Sequence, residues 1–141
     1  MTKIAASKAK SVKKLTADPP GSVEKRTFKT KWFAKEARAT GITDAELCQA
    51  ITEVWAGKAD DLGGGVWKKR LNKNSDRSII LARGKQYWIY TYLFSKSDQP
   101  NIDDDELADF KKLAKAFEKL TAADIAKDLT AKTLIEICHD C

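Results

Sequence analysis

The stretch that decides the fold is residues 63–96, which read GGGVWKKRLNKNSDRSIILARGKQYWIYTYLFSK. Three segments of this stretch combine β-branched and aromatic residues with basic ones, and residues typical of turns separate them. The segments are Val66–Leu71, Arg77–Arg83 and Gln86–Ser95, and the turns are Asn72–Asp76 and Gly84–Lys85. The sequence therefore predicts three antiparallel strands.

The first of these strands divides its basic residues between two faces, because successive residues of a strand point to opposite sides. One face carries Val66, Lys68 and Arg70, and the other carries Trp67, Lys69 and Leu71. Two bases on one face of a single strand can be aimed at a common point.

The chain length of 141 residues fits one domain with a real core. The formal net charge is +6, with seven bases and two acids in residues 1–26, thirteen and eight in residues 27–102, and six and ten in residues 103–141. The basic character therefore lies in the N-terminal segment and the strand block. A positive surface of this kind favours phosphate-bearing partners, although proteins that bind no nucleic acid also carry modest excesses.

Two observations bear on location. No apolar run approaches the roughly 18 residues that span a bilayer, and the N-terminus lacks the apolar segment of a secretory signal. The three cysteines form no framework-like spacing, which favours a reducing compartment and gives no reason to expect structural disulfides. We therefore expect a cytoplasmic protein that does not associate with membranes.

The chain divides into a flexible basic tail, residues 1–25, and one folded domain, residues 26–141. The tail is rich in Lys, Ser, Thr and Ala and has too few apolar groups to offset the cost of ordering. It is either a solvated extension or a basic arm that touches RNA.

Helical periodicity flanks the strand block, so the predicted fold class is α+β. After a short extended piece at Arg26–Phe28, a helix is expected at Lys31–Ala39, with Trp32, Phe33 and Ala37 on one side and Gly41 as its stop. A second helix begins at the Thr43/Glu46 capping box and ends at Gly57.

Beyond the strands, the acidic run Asn101–Glu106 predicts the start of a helix with an apolar stripe from Leu107 to Leu120. Thr121 and Asp124 predict the start of another helix. The pattern leaves the conformation of the apolar patch at 134–137 undecided.

Several kinds of site are disfavoured. Gly63-Gly64-Gly65 lacks the spacing of a phosphate-binding loop and is better explained as a tight approach into the first strand. Triad catalysis would have to use His139, the only histidine, which lies close to the C-terminus. The adjacent residues 138–141 cannot comfortably surround one zinc ion. Cys48 has no partner residues at ligand spacing, so it is better explained as a small packed residue than as a nucleophile.

The remaining candidate chemistry is basic and aromatic. The strand block supplies Lys68, Arg70, Arg77, Arg83 and Lys96, together with Tyr87, Trp88, Tyr90 and Tyr92. Such residues can bind phosphate and stack on bases, or they can be solvated charges and core aromatics. Their residue types alone leave both interpretations open.

The order of elements resembles the RelE/ParE superfamily of bacterial toxins. More narrowly, three segments resemble a RelE-like branch: Phe28–Phe33, Asp61–Arg70, and Tyr92–Lys96 followed by Asn101-Ile102. The glycine triplet with its basic strand is the most specific of these, and the resemblance covers roughly residues 26–137. It makes residues 26–141 a RelE-like toxin domain with two N-terminal helices, a small twisted antiparallel sheet and C-terminal helices.

The resemblance implies cleavage of mRNA in the ribosomal A site without a metal or a small-molecule cofactor. The ribose 2′-hydroxyl attacks the adjacent phosphate, which leaves a 2′,3′-cyclic phosphate and a free 5′-hydroxyl. By similarity the catalytic residues are Lys68, Arg70, Arg77 and Lys96. Lys68 is the candidate base, the two arginines hold the phosphate, and Lys96 is a second phosphate contact or the acid. The residues expected to contact or stack on RNA are Tyr92, Tyr90, Arg83 and Lys69.

The resemblance also implies partners: a cognate antitoxin, the ribosome and mRNA. Two departures bear on activity. The branch usually has an arginine shortly after the Lys96 position, where Ser97–Pro100 supplies none, and the hairpin Asn72–Asp76 lacks the customary glycines. Two alternatives therefore stay open: a ParE-like gyrase inhibitor without catalysis, and a degenerate module that keeps only the antitoxin interface.

Overall fold

The computed structural model describes residues 25–84 and 86–138. The described residues form four helices and a six-stranded sheet, which confirms the α+β class. The elements are β1 (Arg26–Thr30), α1 (Lys31–Thr40), α2 (Asp44–Trp55), β2 (Asp60–Gly63), β3 (Val66–Leu71), β4 (Asp76–Arg83), β5 (Tyr87–Ser95), α3 (Asp104–Glu118), α4 (Ala122–Ala131) and β6 (Leu134–Ile137). Apart from Lys25, the segment interpreted as a flexible tail lies outside the described residues, as do residues 139–141.

The strand order across the sheet is β2-β3-β4-β5-β1-β6. The three predicted strands are β3, β4 and β5, which pair antiparallel in sequence order. β1 pairs parallel with β5, however, so the sheet is mixed rather than purely antiparallel. A parallel pair needs a long connection between its strands, and here that connection contains two helices and three strands. The apolar patch left undecided forms β6 on the far side of β1.

Helices cover both faces of the sheet and create two cores. The core beneath α1 and α2 contains Phe33, Leu47, Ile51, Val54, Ile80, Trp88 and Tyr90. The core beneath α3 and α4 contains Phe28, Val66, Ile79, Leu81, Phe94, Phe117 and Ile125. The sheet is therefore apolar on both faces along much of its length, and polar residues collect where its strands end.

α2 begins directly after Thr43, and α3 begins within the acidic run Asn101–Glu106. The Thr43 side chain accepts from the Glu46 amide, and Asp103 and Glu106 form a reciprocal capping box that explains the acidic run. Gly41 ends α1 in the left-handed region at φ 79°. One expectation is wrong, because Trp32 does not join the buried side of α1 but is 45% exposed.

The glycine triplet makes the tight turn between β2 and β3. Gly63, Gly64 and Gly65 all have positive φ, at 87°, 62° and 84°. A Cβ on Gly65 would lie 2.9 Å from the carbonyl oxygen of Ala82 on β4, so a side chain there would push the strands apart. The triplet thus brings the basic strand close against β4, as the sequence predicted.

A disulfide joins Cys48 in α2 to Cys138, directly after β6, with 5.3 Å between their Cα atoms. The expectation of no structural disulfide is therefore wrong. Cysteine count and spacing could not reveal the pair, because only the tertiary fold brings these two residues, 90 positions apart, together. Arg26 and Glu136 hold the same edge of the sheet through two hydrogen bonds of 2.8 Å each, which raise the pKa of the Arg26 guanidinium.

Tyr90 belongs to the core rather than to the surface. Its ring is fully buried and lies 5.1 Å from that of Phe33, and its hydroxyl donates to the Leu47 carbonyl at 2.7 Å. The interpretation of Tyr90 as a residue that stacks on RNA bases is therefore wrong, since neither ring face is accessible. Burial raises the pKa of the Tyr90 hydroxyl, and the negative charges of Glu46 and Glu53 raise it further.

The first testable prediction concerns the disulfide. Cys48→Ser opens a covalent loop with a sequence separation of 90 and restores freedom to the unfolded chain. By the loop-entropy estimate, the free energy of unfolding should fall by up to about 4–5 kcal/mol. Denaturant titration without reductant measures the change. Cys141→Ser is the control, because it removes a cysteine but leaves the pair intact. Equal denaturation midpoints for Cys48→Ser and wild type would contradict the disulfide between Cys48 and Cys138.

The second prediction concerns pH. The folded-state pKa of Tyr90 lies above its unfolded value of about 10, so this residue's contribution to stability is complete below pH 10 and declines as pH rises further. Tyr90→Phe should cost about 1 kcal/mol at pH 8, through the lost hydrogen bond, but should be spared the further loss that the Tyr90 hydroxyl causes in wild type as pH rises to 11.

The measurement is denaturant unfolding of wild type and Tyr90→Phe at both pH values, because the difference between them cancels the titration of the lysines. Tyr87→Phe, at a half-buried ring, is the matched control. If the free energy of unfolding falls by the same amount in wild type and Tyr90→Phe between pH 8 and pH 11, Tyr90 does not cause the pH dependence of stability.

Candidate functional site

The register of the three central strands arranges the basic residues in two rows across the sheet. One row is Lys68, Ile79 and Tyr92, and the next is Arg70, Arg77 and Phe94. Directly opposed residues share a face, and neighbouring strands lie roughly 5 Å apart. The structure therefore brings Lys68, Arg70 and Arg77 together on the face that also carries α3 and α4.

Lys68 is held by polar neighbours from β2 and from the loop before α3. Its Nζ donates to Oδ1 of Asn101 at 3.1 Å and lies 3.5 Å from Oδ2 of Asp60. The side chain is mostly covered, with 15% relative exposure. These contacts fix the amine at the start of the basic face rather than leaving it free in solvent.

Arg77 is the most buried of the bases, at 7% exposure. Its Nη1 donates to the carbonyl oxygens of Asn74, at 2.9 Å, and Asp76, at 3.2 Å. Asn74 follows Asn72 and Lys73, and all three residues of this hairpin have positive φ. Arg77 thus bonds to a hairpin whose unusual backbone is formed without glycine, and it has a structural role whatever else it does.

Arg70 and Lys96 complete the basic face at its exposed end. Arg70 lies directly opposite Arg77 in the register. The Lys96 backbone amide donates to the Ser75 carbonyl at 2.9 Å, which continues the pairing of β5 with the hairpin. Lys96 is exposed and lies in the turn directly after β5, next to the hairpin end of the basic rows.

Tyr92 lies at the centre of an aromatic cluster beside these bases. Its ring stacks on Trp32 with centroids 5.4 Å apart, and it contacts Phe94 at 5.7 Å and Phe110 at 5.6 Å. Its hydroxyl is 3.5 Å from Oε1 of Gln99, at the limit of a hydrogen bond. Aromatic residues of α1, β5 and α3 therefore all pack against the Tyr92 ring.

Two residues expected to contact RNA lie away from this face. Lys69 points to the opposite side of β3, where it forms a 2.8 Å ion pair with Glu53 of α2. Arg83 lies at the other end of β4, roughly 20 Å from Arg77 at about 3.3 Å per residue, and stacks over Tyr87 with its Cζ 5.2 Å from the ring centroid. Neither joins the group formed by Lys68, Arg70 and Arg77.

Sequence reasoning missed three neighbours of the site: Trp32, Asn101 and Phe110. The sequence predicts Trp32 on the apolar side of α1, whereas its ring is half exposed and stacks on Tyr92. Asn101 is a hydrogen-bond partner of Lys68, 33 positions away along the chain. No local signal marks such partners, because each contact forms only when a helix or loop folds back onto the strand ends.

The described residues contain neither a cluster of metal ligands nor a membrane-spanning helix. No group of three or more His, Cys, Asp or Glu in residues 25–84 and 86–138 is arranged to hold a metal ion. No helix within the same ranges combines the length and hydropathy that a bilayer-spanning segment needs. Cys138, one of the C-terminal residues considered above as zinc ligands, forms the disulfide with Cys48.

Comparison with known families gives one result. A family model described as the RelE toxin of the RelE / RelB toxin-antitoxin system matches residues 25–137, from β1 to the end of β6. Comparisons with curated proteins and with solved structures each gave no match. The family match includes both basic rows and all four helices. The chain therefore belongs to the RelE family of toxins from RelE/RelB toxin–antitoxin systems.

Proposed function

We propose that this toxin inhibits translation by cleaving mRNA on the ribosome. The observation that carries the proposal is the register of β3 and β4, in which Lys68 and Arg70 share one face with Arg77. Three bases on one surface match the needs of a reaction that builds negative charge on a phosphate. Family membership supports the same conclusion, because it makes the chain a toxin.

The proposed reaction uses the RNA's own 2′-hydroxyl as nucleophile. Nζ of Lys68 takes the hydroxyl proton as the oxygen attacks the adjacent phosphorus. Arg70 and Arg77 stabilise the charge on the pentavalent phosphate, since a guanidinium stays charged and can contact two oxygens. The bond from phosphorus to the 5′-oxygen breaks, and Lys96 gives that oxygen a proton. The products are a 2′,3′-cyclic phosphate and a free 5′-hydroxyl.

The setting of Arg77 suits this role. Its Nη1 is committed to two hairpin carbonyls, which holds the planar group in one orientation. Its other nitrogens have no hydrogen-bond partner in residues 25–84 and 86–138 and remain for phosphate oxygens. Because the residue is mostly buried, attraction to a bound phosphate is screened less than it would be in water.

The proposal includes the setting in which the toxin acts. Its partners are a cognate antitoxin, which the family implies, and the ribosome with its mRNA. The location is the cytoplasm, where ribosomes translate. Tyr92 is proposed to contact the RNA from the aromatic cluster that borders the basic rows.

One observation favours a second candidate, a binding module that keeps the antitoxin surface without the nuclease. Residues 97–100, directly after Lys96, supply no base. Arg77 is only 7% exposed, so a phosphate would have to approach it through a narrow opening. Such a protein would form a tight antitoxin complex and would be harmless when expressed alone.

Adjacent lysines on β3 provide the test. Lys68→Ala should abolish growth arrest on induced expression and lower the rate of mRNA cleavage on purified ribosomes by roughly 100-fold or more, because the base is lost. Lys69→Ala is the matched control: it removes the same charge from the next residue, which faces α2, and should leave cleavage within a fewfold of wild type.

Mapping the 5′ ends of mRNA after induction identifies the products. Arrest that persists undiminished in Lys68→Ala would remove this residue from the site. Harmless wild-type protein that still binds its antitoxin would select the binding module.

A further inference from the structure

A groove lies between α1 and the end of β5, next to the basic rows. It encloses about 340 Å³, and its lining includes Trp32, Glu36, Thr40, Tyr92, Phe94 and Asp98. That volume falls within the range of small-ligand pockets and suffices for a single flat ring system. The reaction proposed above assigns no chemical step to the groove, although Tyr92 of its lining is proposed to contact the RNA and Phe94 is directly opposed to Arg77.

The groove offers an aromatic surface that is already oriented. Trp32 stacks on Tyr92 with 21° between the ring planes, yet 45% of the residue is exposed. Contact with Tyr92 limits the rotation of the indole, so little rotamer freedom would be lost if a second ring stacked on it. A half-exposed tryptophan held in this way is suited to receive another flat ring.

Acidic side chains border the same surface. Glu36 lies one helical turn after Trp32 on α1, and Asp98 lies in the loop that follows β5. Within residues 25–84 and 86–138, neither carboxylate forms an ion pair or accepts a hydrogen bond. The groove therefore combines a stacking surface with free acceptors, and the basic rows begin directly beside it.

We propose that this groove binds one unpaired nucleobase of the RNA, which stacks on Trp32 and donates its exocyclic amino group to Glu36 or Asp98. The inference rests on the proposed function and deepens it by assigning base selectivity to Trp32, Glu36 and Asp98, which lie beside the proposed catalytic residues. Cytosine, adenine and guanine carry such an amino group, whereas uracil carries a carbonyl oxygen that the carboxylates would repel.

Charge complementarity favours a base over other occupants. A phosphate in the groove would meet Glu36 and Asp98, whereas phosphates of the same strand can lie on Arg77 and Lys96 next to it. An RNA strand whose phosphates lie on Arg77 and Lys96 can therefore place one nucleobase in the groove. The ring of that nucleobase would stack on Trp32, and its amino group would face Glu36 or Asp98. An arginine-bearing peptide would satisfy the acids but would be repelled by the adjacent basic rows.

The test uses the full chain labelled with 15N at its four tryptophan indoles. The probes are 2′-O-methyl pentanucleotides, which cannot be cleaved because the attacking hydroxyl is blocked: one of five uridines, and two with a central cytidine or adenosine. The Trp32 signal is assigned by its absence in Trp32→Phe. We expect it to shift on titration and the cytidine and adenosine oligonucleotides to bind roughly 5-fold or more tightly than oligouridine.

Two variants separate the contributions. Trp32→Ala should weaken binding of all three oligonucleotides by roughly 5- to 100-fold, with Trp32→Phe recovering part of the loss. Glu36→Ala should leave oligouridine binding unchanged or stronger while reducing the preference for cytidine and adenosine. Leu113→Ala is the matched control, since it removes a large apolar side chain, 52% exposed, from α3 outside the groove.

The outcomes distinguish this inference from the proposed function. A Trp32 signal that no oligonucleotide shifts, or oligonucleotides that bind equally whatever their central base, would overturn the base site even if ribosomal cleavage is intact. A shift caused by an arginine-bearing peptide and by no oligonucleotide would overturn it in favour of a protein partner. A selective shift without cleavage on ribosomes would support the base site and would reject the nuclease.

Discussion

The register between β3, β4 and β5 is the constraint on which the rest of the structure depends. It aligns Arg70 with Arg77 and Lys68 with Ile79, so that one face receives the bases while Trp67 and Leu71 reach the core beneath α1 and α2. A slip of one residue would exchange the faces of β3 and bury two bases among apolar side chains. The same alternation that builds the core therefore forms the proposed site, and neither can change alone.

Elements outside these three strands give the site its remaining parts. The hairpin after β3 presents carbonyl oxygens to Arg77, and the segment before α3 delivers Asn101 to Lys68. α1 contributes Trp32, which packs on Tyr92 beside the end of β5. The bases thus come from adjacent strands and can be found together in the sequence, whereas the groups that orient them come from distant parts of the chain.

This difference determines how much could be predicted from the sequence. Period-two alternation located β3 and assigned the faces of Lys68, Lys69 and Arg70, because those assignments depend on one strand alone. The Thr43/Glu46 spacing and the acidic run Asn101–Glu106 located two helix starts for the same reason.

Tyr90 and Trp32 show the limit of such reasoning. Both are aromatic residues in apolar segments, and for both the predicted environment is wrong. Tyr90 is buried because α2 lies over it, whereas Trp32 remains 45% exposed although its ring stacks on Tyr92 of β5. The disulfide and the parallel pairing of β1 with β5 likewise depend on contacts between distant segments.

The position of β1 in the sheet has a consequence for the order of events during synthesis. Of the strands that the structure describes, β1 is synthesised first, yet its partners are β5 and β6, and Thr27 pairs with Ile137, 110 positions later. At about 5–20 residues per second, roughly 5–20 s pass between synthesis of the two. In that interval β2 to β5 can pair with one another through local contacts, while β1 is not yet paired on both of its edges. The sheet can therefore be completed only after β6 has been synthesised, and until then β1 lacks one of its two partners.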